Sequence, residues 1–263
     1  MTRPLVRRSA IRSAITAAWL AVASGCSAGG NPADATPPSP TPGPGAPTGE
    51  RVLFVGNSLT EGNDLPLPVE ALAAAGGRPL VCEKVTYGGV ALEDHWNLRT
   101  QDRIAAGGWR YVVLQQGPSS LPESRVNLRE WTARFDTVIR RAGGTTALYM
   151  VWPERSRRAA FPQVSDSYRL AAQDVGGILL PAGDAWIAAW GRDPSLPLYG
   201  TDGFHPTLTG SYLAALTIYA GLTGGSPVGL PARLRLQNGV TVDVETRHLA
   251  SLQAAAAEAV ARP

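Results

Sequence analysis

The chain has 263 residues, of which 44% are hydrophobic and 17% are charged. This composition excludes a disordered protein, and the length suffices for one α/β domain with a complete core or for two small domains. The formal net charge of +3 becomes −1 without the four arginines of residues 1–25. Charge therefore offers no argument for a nucleic-acid partner.

Residues 1–25 combine a basic start with a short apolar stretch, Ile15–Val22, which cannot span a bilayer. The small residues Ala23-Ser24-Gly25 then precede Cys26. This arrangement resembles a bacterial lipoprotein signal, in which the cysteine becomes the lipidated first residue. We expect a lipid anchor on Cys26, with ordinary secretion after cleavage near Gly25 as the alternative.

Residues 26–49 are rich in Pro, Gly, Ala, Ser and Thr, and they contain the run Pro37-Pro38-Ser39-Pro40-Thr41-Pro42. Such a composition cannot build a core and predicts a semi-extended tether. The folded domain is expected at residues 50–263, outside the cytoplasmic membrane. Within it, Cys82 lies in an apolar run and is predicted to be a buried small hydrophobe.

From residue 50 onwards, apolar runs typical of strands alternate with helical patterns. The predicted strands are 51–55, 80–86, 111–115, 145–151 and 177–181. The predicted helices are 66–75, 91–106, 125–142, 163–175 and 206–222. This alternation predicts a central parallel sheet of about five strands in a three-layer α/β/α sandwich. Asn238-Gly239 between two apolar runs then indicates a hairpin from about residue 230, and residues 246–261 have a helical pattern.

Several chemically capable residues follow the predicted strands directly. They are Ser58, Gly88-Gly89, Gln115-Gln116 and Trp152. In parallel α/β sheets, ligands bind outside the carboxyl ends of the strands. The sequence therefore predicts a site at this edge.

Ser58 comes directly after Gly56-Asn57, a pair suited to a tight turn between a strand and a helix. A serine there has its hydroxyl at the sheet edge and its N–H near a helix N-terminus, which favours nucleophilic attack and anion stabilisation. The alternative is that Asn57 and Ser58 only cap the helix.

A nucleophilic serine needs a base, and the chain has three histidines. His248 is predicted on the surface of the C-terminal helix, and His95 either lines a pocket or has a structural role. His205 lies three residues after Asp202, so an Asp-Gly turn can bring the carboxylate to Nδ1–H and leave Nε2 for the serine proton. The alternative is an ordinary Asp-Gly turn with a helix-capping histidine.

The segments Gly56-Asn57-Ser58-Leu59-Thr60 and Asp202-Gly203-Phe204-His205-Pro206 resemble the first and last signature blocks of the SGNH/GDSL hydrolases. These are flavodoxin-like esterases, lipases, acylhydrolases and carbohydrate deacetylases. Residues 202–215 resemble the bacterial branch whose opening motif reads Gly-Asn-Ser, and the similarity covers roughly residues 51–222. The resemblance implies Ser58 as nucleophile, His205 as general base and then acid, and Asp202 as the residue that orients the histidine.

The resemblance also implies an oxyanion hole made by the nucleophile's N–H, a glycine N–H after the second strand and an asparagine side chain after the third. Gly89 fits the second position, with Gly88 as the alternative. The third block departs from the family's Gly-x-Asn-Asp, because this chain has Leu114-Gln115-Gln116-Gly117 there. A glutamine amide can donate as asparagine does, so we expect Gln116, or else Gln115, to take that role.

Near the strand ends, His95 and Trp152 are candidates for substrate contact. The sequence thus predicts an extracytoplasmic serine esterase or acylhydrolase that forms an acyl-enzyme, with acetyl groups on carbohydrate as one substrate.

The absence of a His-x-x-x-His pair, a cysteine cluster and an acidic cluster predicts no metal, and no cofactor is expected. We expect a monomer that contacts the membrane only through its anchor. The alternative is a catalytically weak glycan-binding lipoprotein on the same fold.

Overall fold

The computed structural model describes residues 48–262, so the predicted signal segment, Cys26 and most of the predicted tether lie outside the described residues. Five parallel strands form the central sheet in the order β2-β1-β3-β4-β5. They are β1 Glu50–Gly56, β2 Leu80–Thr86, β3 Tyr111–Leu114, β4 Thr145–Tyr149 and β5 Ile178–Leu180. All four residues of β3 are buried, as expected of a strand covered on both faces. The predicted three-layer sandwich is confirmed.

Nine α-helices are present in the described residues. They are α1 Ser58–Glu61, α2 Pro66–Ala75, α3 Leu92–Asn97, α4 Thr100–Ala105, α5 Pro122–Arg141, α6 Phe161–Val175, α7 Ala182–Arg192, α8 Leu208–Thr223 and α9 Thr246–Ala261. Helix α5 packs against α4 and α6, whereas the almost wholly buried α8 packs against α2, α7 and α9. A 3-10 segment, Arg155–Ala160, precedes α6.

Three elements differ from the expectations. The helix predicted at 91–106 is two helices, α3 and α4, because Arg99 between them adopts a left-handed φ of 63°. The single-turn helix α1 and helix α7 were not predicted. Near the C-terminus, β6 Arg233–Arg235 and β7 Thr241–Asp243 form an antiparallel pair before α9. No helix within residues 48–262 has both the length and the apolar character needed to cross a bilayer.

The strand order places a reversal of direction beside β1. The chain runs from β1 outwards to β2 and then returns to β3 on the other side of β1. Ligand sites of parallel α/β sheets lie at such a switch point, outside the carboxyl ends of the strands. The residues that follow β1 and β3 there include Ser58 and Gln115-Gln116.

Candidate active site

The nucleophile turn, Gly56–Ser58, connects the buried strand β1 to the single-turn helix α1. Asn57 caps this helix, since its Oδ1 accepts a hydrogen bond of 3.1 Å from the N–H of Leu59. The capping alternative is therefore correct for Asn57, while the Ser58 side chain is free for another contact.

Ser58, His205 and Asp202 form a continuous hydrogen-bonded series. The distance between Ser58 Oγ and His205 Nε2 is 2.9 Å, and that between His205 Nδ1 and Asp202 Oδ2 is 2.6 Å. Because an ionised carboxylate only accepts, Nδ1 carries the imidazole proton, and Nε2 accepts from the serine hydroxyl. The histidine is thus oriented as a base towards Ser58.

The carboxylate of Asp202 is also bonded to the backbone of its own turn. Its Oδ1 accepts from the N–H of Phe204 at 2.9 Å and from that of His205 at 3.0 Å. The Phe204 N–H, followed by the His205 side chain, lowers the pKa of Asp202 to about 2. The side chains of His205 and Asp202 are 43% and 52% exposed, so this part of the site is open to solvent.

Gln115 is fully buried and bonded on every side. Its Oε1 accepts from Asn57 N–H at 2.9 Å and from the Thr60 hydroxyl at 2.7 Å. Its Nε2 donates to Asn57 Oδ1 at 3.0 Å and to Gln116 O at 2.5 Å. Both amide protons are therefore used, and Gln115 supports the nucleophile turn from beneath.

Gln116 and Gly89 retain groups that can donate. Gln116 Nε2 gives one proton to Ser119 Oγ at 2.9 Å, which leaves its second N–H, although the side chain is largely buried. Gly89 lies in the exposed turn after β2 with φ of 72°, a conformation that suits glycine. Among residues 48–262, neither the Ser58 N–H nor the Gly89 N–H has a protein acceptor.

His95 and Trp152, the two candidates for substrate contact, are both fully buried, so neither reaches a substrate in this structure. His95 Nε2 donates to Gly56 O at 2.9 Å, and its Nδ1 accepts from the Thr100 hydroxyl at 3.1 Å. Burial lowers the pKa of His95, which favours this neutral form. Trp152 Nε1 donates to Phe204 O at 3.0 Å. Both side chains support the site from behind.

The prediction that His248 lies on the surface is wrong. This side chain is buried between α9 and the end of α7, where its Nδ1 is 2.9 Å from Asp193 Oδ2. Cys82 is partly buried, and burial raises the pKa of its thiol, which disfavours a nucleophilic thiolate. Within the described range, the His, Cys, Asp and Glu side chains form no group of three that could bind a metal.

No family model matches the sequence, and no curated protein matches it either. Several solved structures, in contrast, have a similar fold. A DUF4886 family protein from Bacteroides uniformis superposes with a TM-score of 0.67 at 20% identity, covering 81% of this chain and 95% of its own. A protein from Slackia heliotrinireducens assigned to the SGNH hydrolases gives 0.54 at 26% identity, covering 66% of this chain and 100% of its own.

A third match is a catalytic mutant of an acetylxylan esterase from Geobacillus stearothermophilus. It has a TM-score of 0.50 and 16% identity, and it covers 67% of this chain and 95% of its own. Together these similarities confirm the SGNH/GDSL resemblance and the fold that it implies.

Proposed function

We propose that this chain, whose fold is that of the SGNH/GDSL hydrolases, is an extracytoplasmic serine esterase with a Ser58-His205-Asp202 triad. The observation that carries the proposal is the series of two short hydrogen bonds from Ser58 Oγ through His205 to Asp202. These are the distances at which a base takes a proton from a nucleophile.

In the proposed reaction, Ser58 Oγ attacks the ester carbonyl while its proton passes to His205 Nε2. Asp202 keeps the imidazole in the required tautomer and stabilises the imidazolium. The imidazolium then protonates the leaving alcohol, which leaves an acyl group on Ser58. A water molecule, deprotonated by His205, hydrolyses this acyl-enzyme and regenerates the serine.

We assign the developing oxyanion to three donors: the N–H of Ser58, the N–H of Gly89 and the second N–H of Gln116. Gln116 is favoured over Gln115 because both amide protons of Gln115 are already used. Removing one such donor typically raises the barrier by roughly 2.7–4 kcal/mol. Gln116→Met should therefore lower kcat by roughly 100- to 1,000-fold.

An ester with a bulky alcohol component suits the open side of the site. His205 and Asp202 are about half exposed, and a cleft of about 520 Å³, lined by residues of 154–156 and 201–204, opens beside Asp202. A polymer could approach from this side. By analogy with the acetylxylan esterase, we propose O-acetylated carbohydrate as one substrate.

The test is hydrolysis of p-nitrophenyl acetate from pH 5 to 9 by the purified protein, beside Ser58→Ala and His205→Ala. We expect both variants to lose activity at every pH at which the wild type is active. Labelling by a fluorophosphonate probe, abolished in Ser58→Ala, would support the nucleophile even if acetate is the wrong acyl group. Absence of both hydrolysis and labelling would contradict the proposal.

A second candidate is a glycan-binding lipoprotein with little catalysis, which the glutamine in the third block favours. It predicts that Ser58→Ala binds acetylated glycans as the wild type does, and that the fluorophosphonate leaves Ser58 unlabelled. For either function we propose anchoring through Cys26. Cys26→Ser should release the protein from membranes, and an unchanged distribution would contradict lipidation.

A further inference from the structure

The histidine loop, Tyr199–Pro206, presents His205 and Asp202 on an exposed surface. Bonds within the loop close it on itself: Gly200 N–H donates to His205 O at 2.7 Å, and Gly203 N–H donates to Gly200 O at 3.1 Å. They shape the loop but do not determine how far His205 lies from Ser58, which is 147 residues away in sequence. That distance needs contacts with the rest of the fold.

Such contacts come from two places. Asn63, which follows α1, donates from Nδ2 to Pro206 O at 3.1 Å. The other contacts come from one short stretch after β4, Trp152–Arg155, which we call the positioning segment. Trp152 Nε1 donates to Phe204 O at 3.0 Å, and Arg155 N–H donates to Gly203 O at 2.8 Å. Arg155 Nη2 donates to Gly200 O at 3.1 Å. In the opposite direction, the Tyr199 hydroxyl donates to Pro153 O at 2.6 Å. The segment thus donates to the carbonyl groups of Gly200, Gly203 and Phe204, and at a longer distance of 3.5 Å to that of Tyr199.

The positioning segment is itself well anchored. Trp152 follows the central strand β4 closely and is fully buried. Its ring stacks on that of Trp186 in α7, with the centroids 3.6 Å apart and an interplanar angle of 12°. The Trp186 ring also meets Tyr199 edge to face at 5.0 Å. The core therefore supplies a rigid reference from which the indole N–H reaches the loop.

We propose that the positioning segment, together with the Asn63 bond to Pro206 O, sets the distance between His205 Nε2 and Ser58 Oγ, with Trp152 and Arg155 as positioning residues. This inference rests on the proposed esterase function. It goes beyond that function because it assigns the placement of the base to side chains that contact neither Ser58 Oγ nor the His205 ring. A small displacement of a base from its productive geometry is sufficient to slow a reaction strongly.

Trp152→Phe removes the N–H that reaches Phe204 O and keeps an aromatic ring. Trp186→Phe is the matched control, since Trp186 Nε1 is buried and has no hydrogen-bond partner in the part of the chain that the structure describes. Both variants lose the same indole volume from the same stack. We expect Trp152→Phe to lower kcat by roughly 10- to 100-fold, with KM within about twofold, and Trp186→Phe to leave kcat within about threefold of the wild type.

A second pair of variants lies on the surface, where folding is not at risk. Arg155→Met removes the donor to Gly200 O and keeps most of the aliphatic stem. Arg158→Met is its control, because Arg158 belongs to the same exposed 3-10 segment and stacks on Trp190, as Arg155 stacks on Tyr199, but donates to no carbonyl of the histidine loop. We expect a roughly 5- to 20-fold loss of kcat in Arg155→Met only, and partial recovery in Arg155→Lys.

A readout independent of activity separates failure of this inference from failure of the proposed function. The Cε1–H resonance of His205, assigned by its absence in His205→Gln, should shift or broaden in Trp152→Phe and Arg155→Met and stay unchanged in the two controls. If the wild type is inert to ester and probe but these shifts occur, the esterase proposal fails and the positioning role stands. If kcat and the resonance change equally in variant and control, the segment contributes only stability, and the inference is overturned.

Discussion

The two halves of the candidate site are built in opposite ways. The nucleophile turn is supported from the interior, where Asn57, Thr60, Gln115 and His95 are all buried and bonded to one another or to its backbone. The histidine loop lies half exposed. Changes beneath the serine should therefore reduce stability as well as activity, whereas changes at the exposed Asp-His pair should reduce activity alone.

Gln115→Met should give the largest loss of stability. It leaves Asn57 N–H and the Thr60 hydroxyl without the partner that each now has, and Asn57 Oδ1 keeps only the N–H of Leu59. A buried polar group left unpaired costs about 1–3 kcal/mol, so we expect the free energy of unfolding to fall by about 3–5 kcal/mol. Urea denaturation measures this change.

The matched control is Gln173→Met, on the exposed face of α6, which should change stability by less than about 0.5 kcal/mol. A Gln115→Met protein within 1 kcal/mol of the wild type would mean that the nucleophile turn does not depend on this network.

Gly56→Ala should destabilise the same half by overpacking. A Cβ at this position would lie closer than 3.0 Å to both the Thr60 hydroxyl and Gln115 Oε1. Forcing extra volume into a packed site typically costs about 1–3 kcal/mol, and the displaced turn should lower kcat as well. Thermal unfolding and ester hydrolysis measure the two effects.

Gly191→Ala is the control, because the added methyl meets nothing within 4 Å and the position is inside helix α7. It should be neutral or slightly stabilising. Equal behaviour of the two alanine variants would remove close packing as the reason for glycine at position 56.

His95→Gln should have a smaller effect that depends on pH. It disturbs the bond to Gly56 O, so at pH 8 we expect a loss of about 1–2 kcal/mol. The folded-state pKa of His95 is lowered by burial, whereas the unfolded chain titrates near 6.5. The unfolded state thus binds the proton first, and the wild type loses stability as the pH falls below about 6.5.

The glutamine variant lacks this titration, so the difference in unfolding free energy between the two proteins should narrow from pH 8 to pH 5. His248 is the same in both proteins, so its contribution cancels from the difference in unfolding free energy. A constant difference across that range would show that His95 does not titrate with a lowered pKa.

The same contrast explains how much of the molecule could be predicted from the sequence. Apolar runs and the alternation of strand and helix patterns were sufficient to predict the sheet, because a strand that is buried on both faces needs a continuous apolar run. Ser58, Asp202 and His205 were predicted because the chemistry needs those residue types in short local motifs. The buried residues that support the triad were harder to predict. Gln115 was considered as an oxyanion donor, and His95 and Trp152 were considered for substrate contact.

Those assignments failed because proximity to a strand end does not say whether a side chain points into the cleft or into the core. Arg155 had no sequence signal at all, since its role depends on a loop 45 residues away in sequence. Likewise, His248 was placed on the surface because the helical pattern around it does not reveal that α9 buries it against Asp193. Long-range contacts of this kind are a property of the folded chain.

Asp202→Asn tests the exposed half and should have the smallest effect on stability. Asn Oδ1 can still accept from the N–H groups of Phe204 and His205, so we expect unfolding free energy within about 0.5 kcal/mol of the wild type. Any stability that the carboxylate adds is present above about pH 4 and is lost as the pH falls towards its pKa of about 2, and solvent screens it.

The same substitution should have a large effect on activity. The amide presents a donor to His205 Nδ1, which favours the tautomer with its proton on Nε2, so the base can no longer accept from Ser58 and kcat should fall by up to about 10⁴-fold. Steady-state kinetics beside urea denaturation measure both quantities on one sample. A variant that loses several kcal/mol of stability together with its activity would show that the histidine loop, although exposed, is as integral to the fold as the turn beneath Ser58.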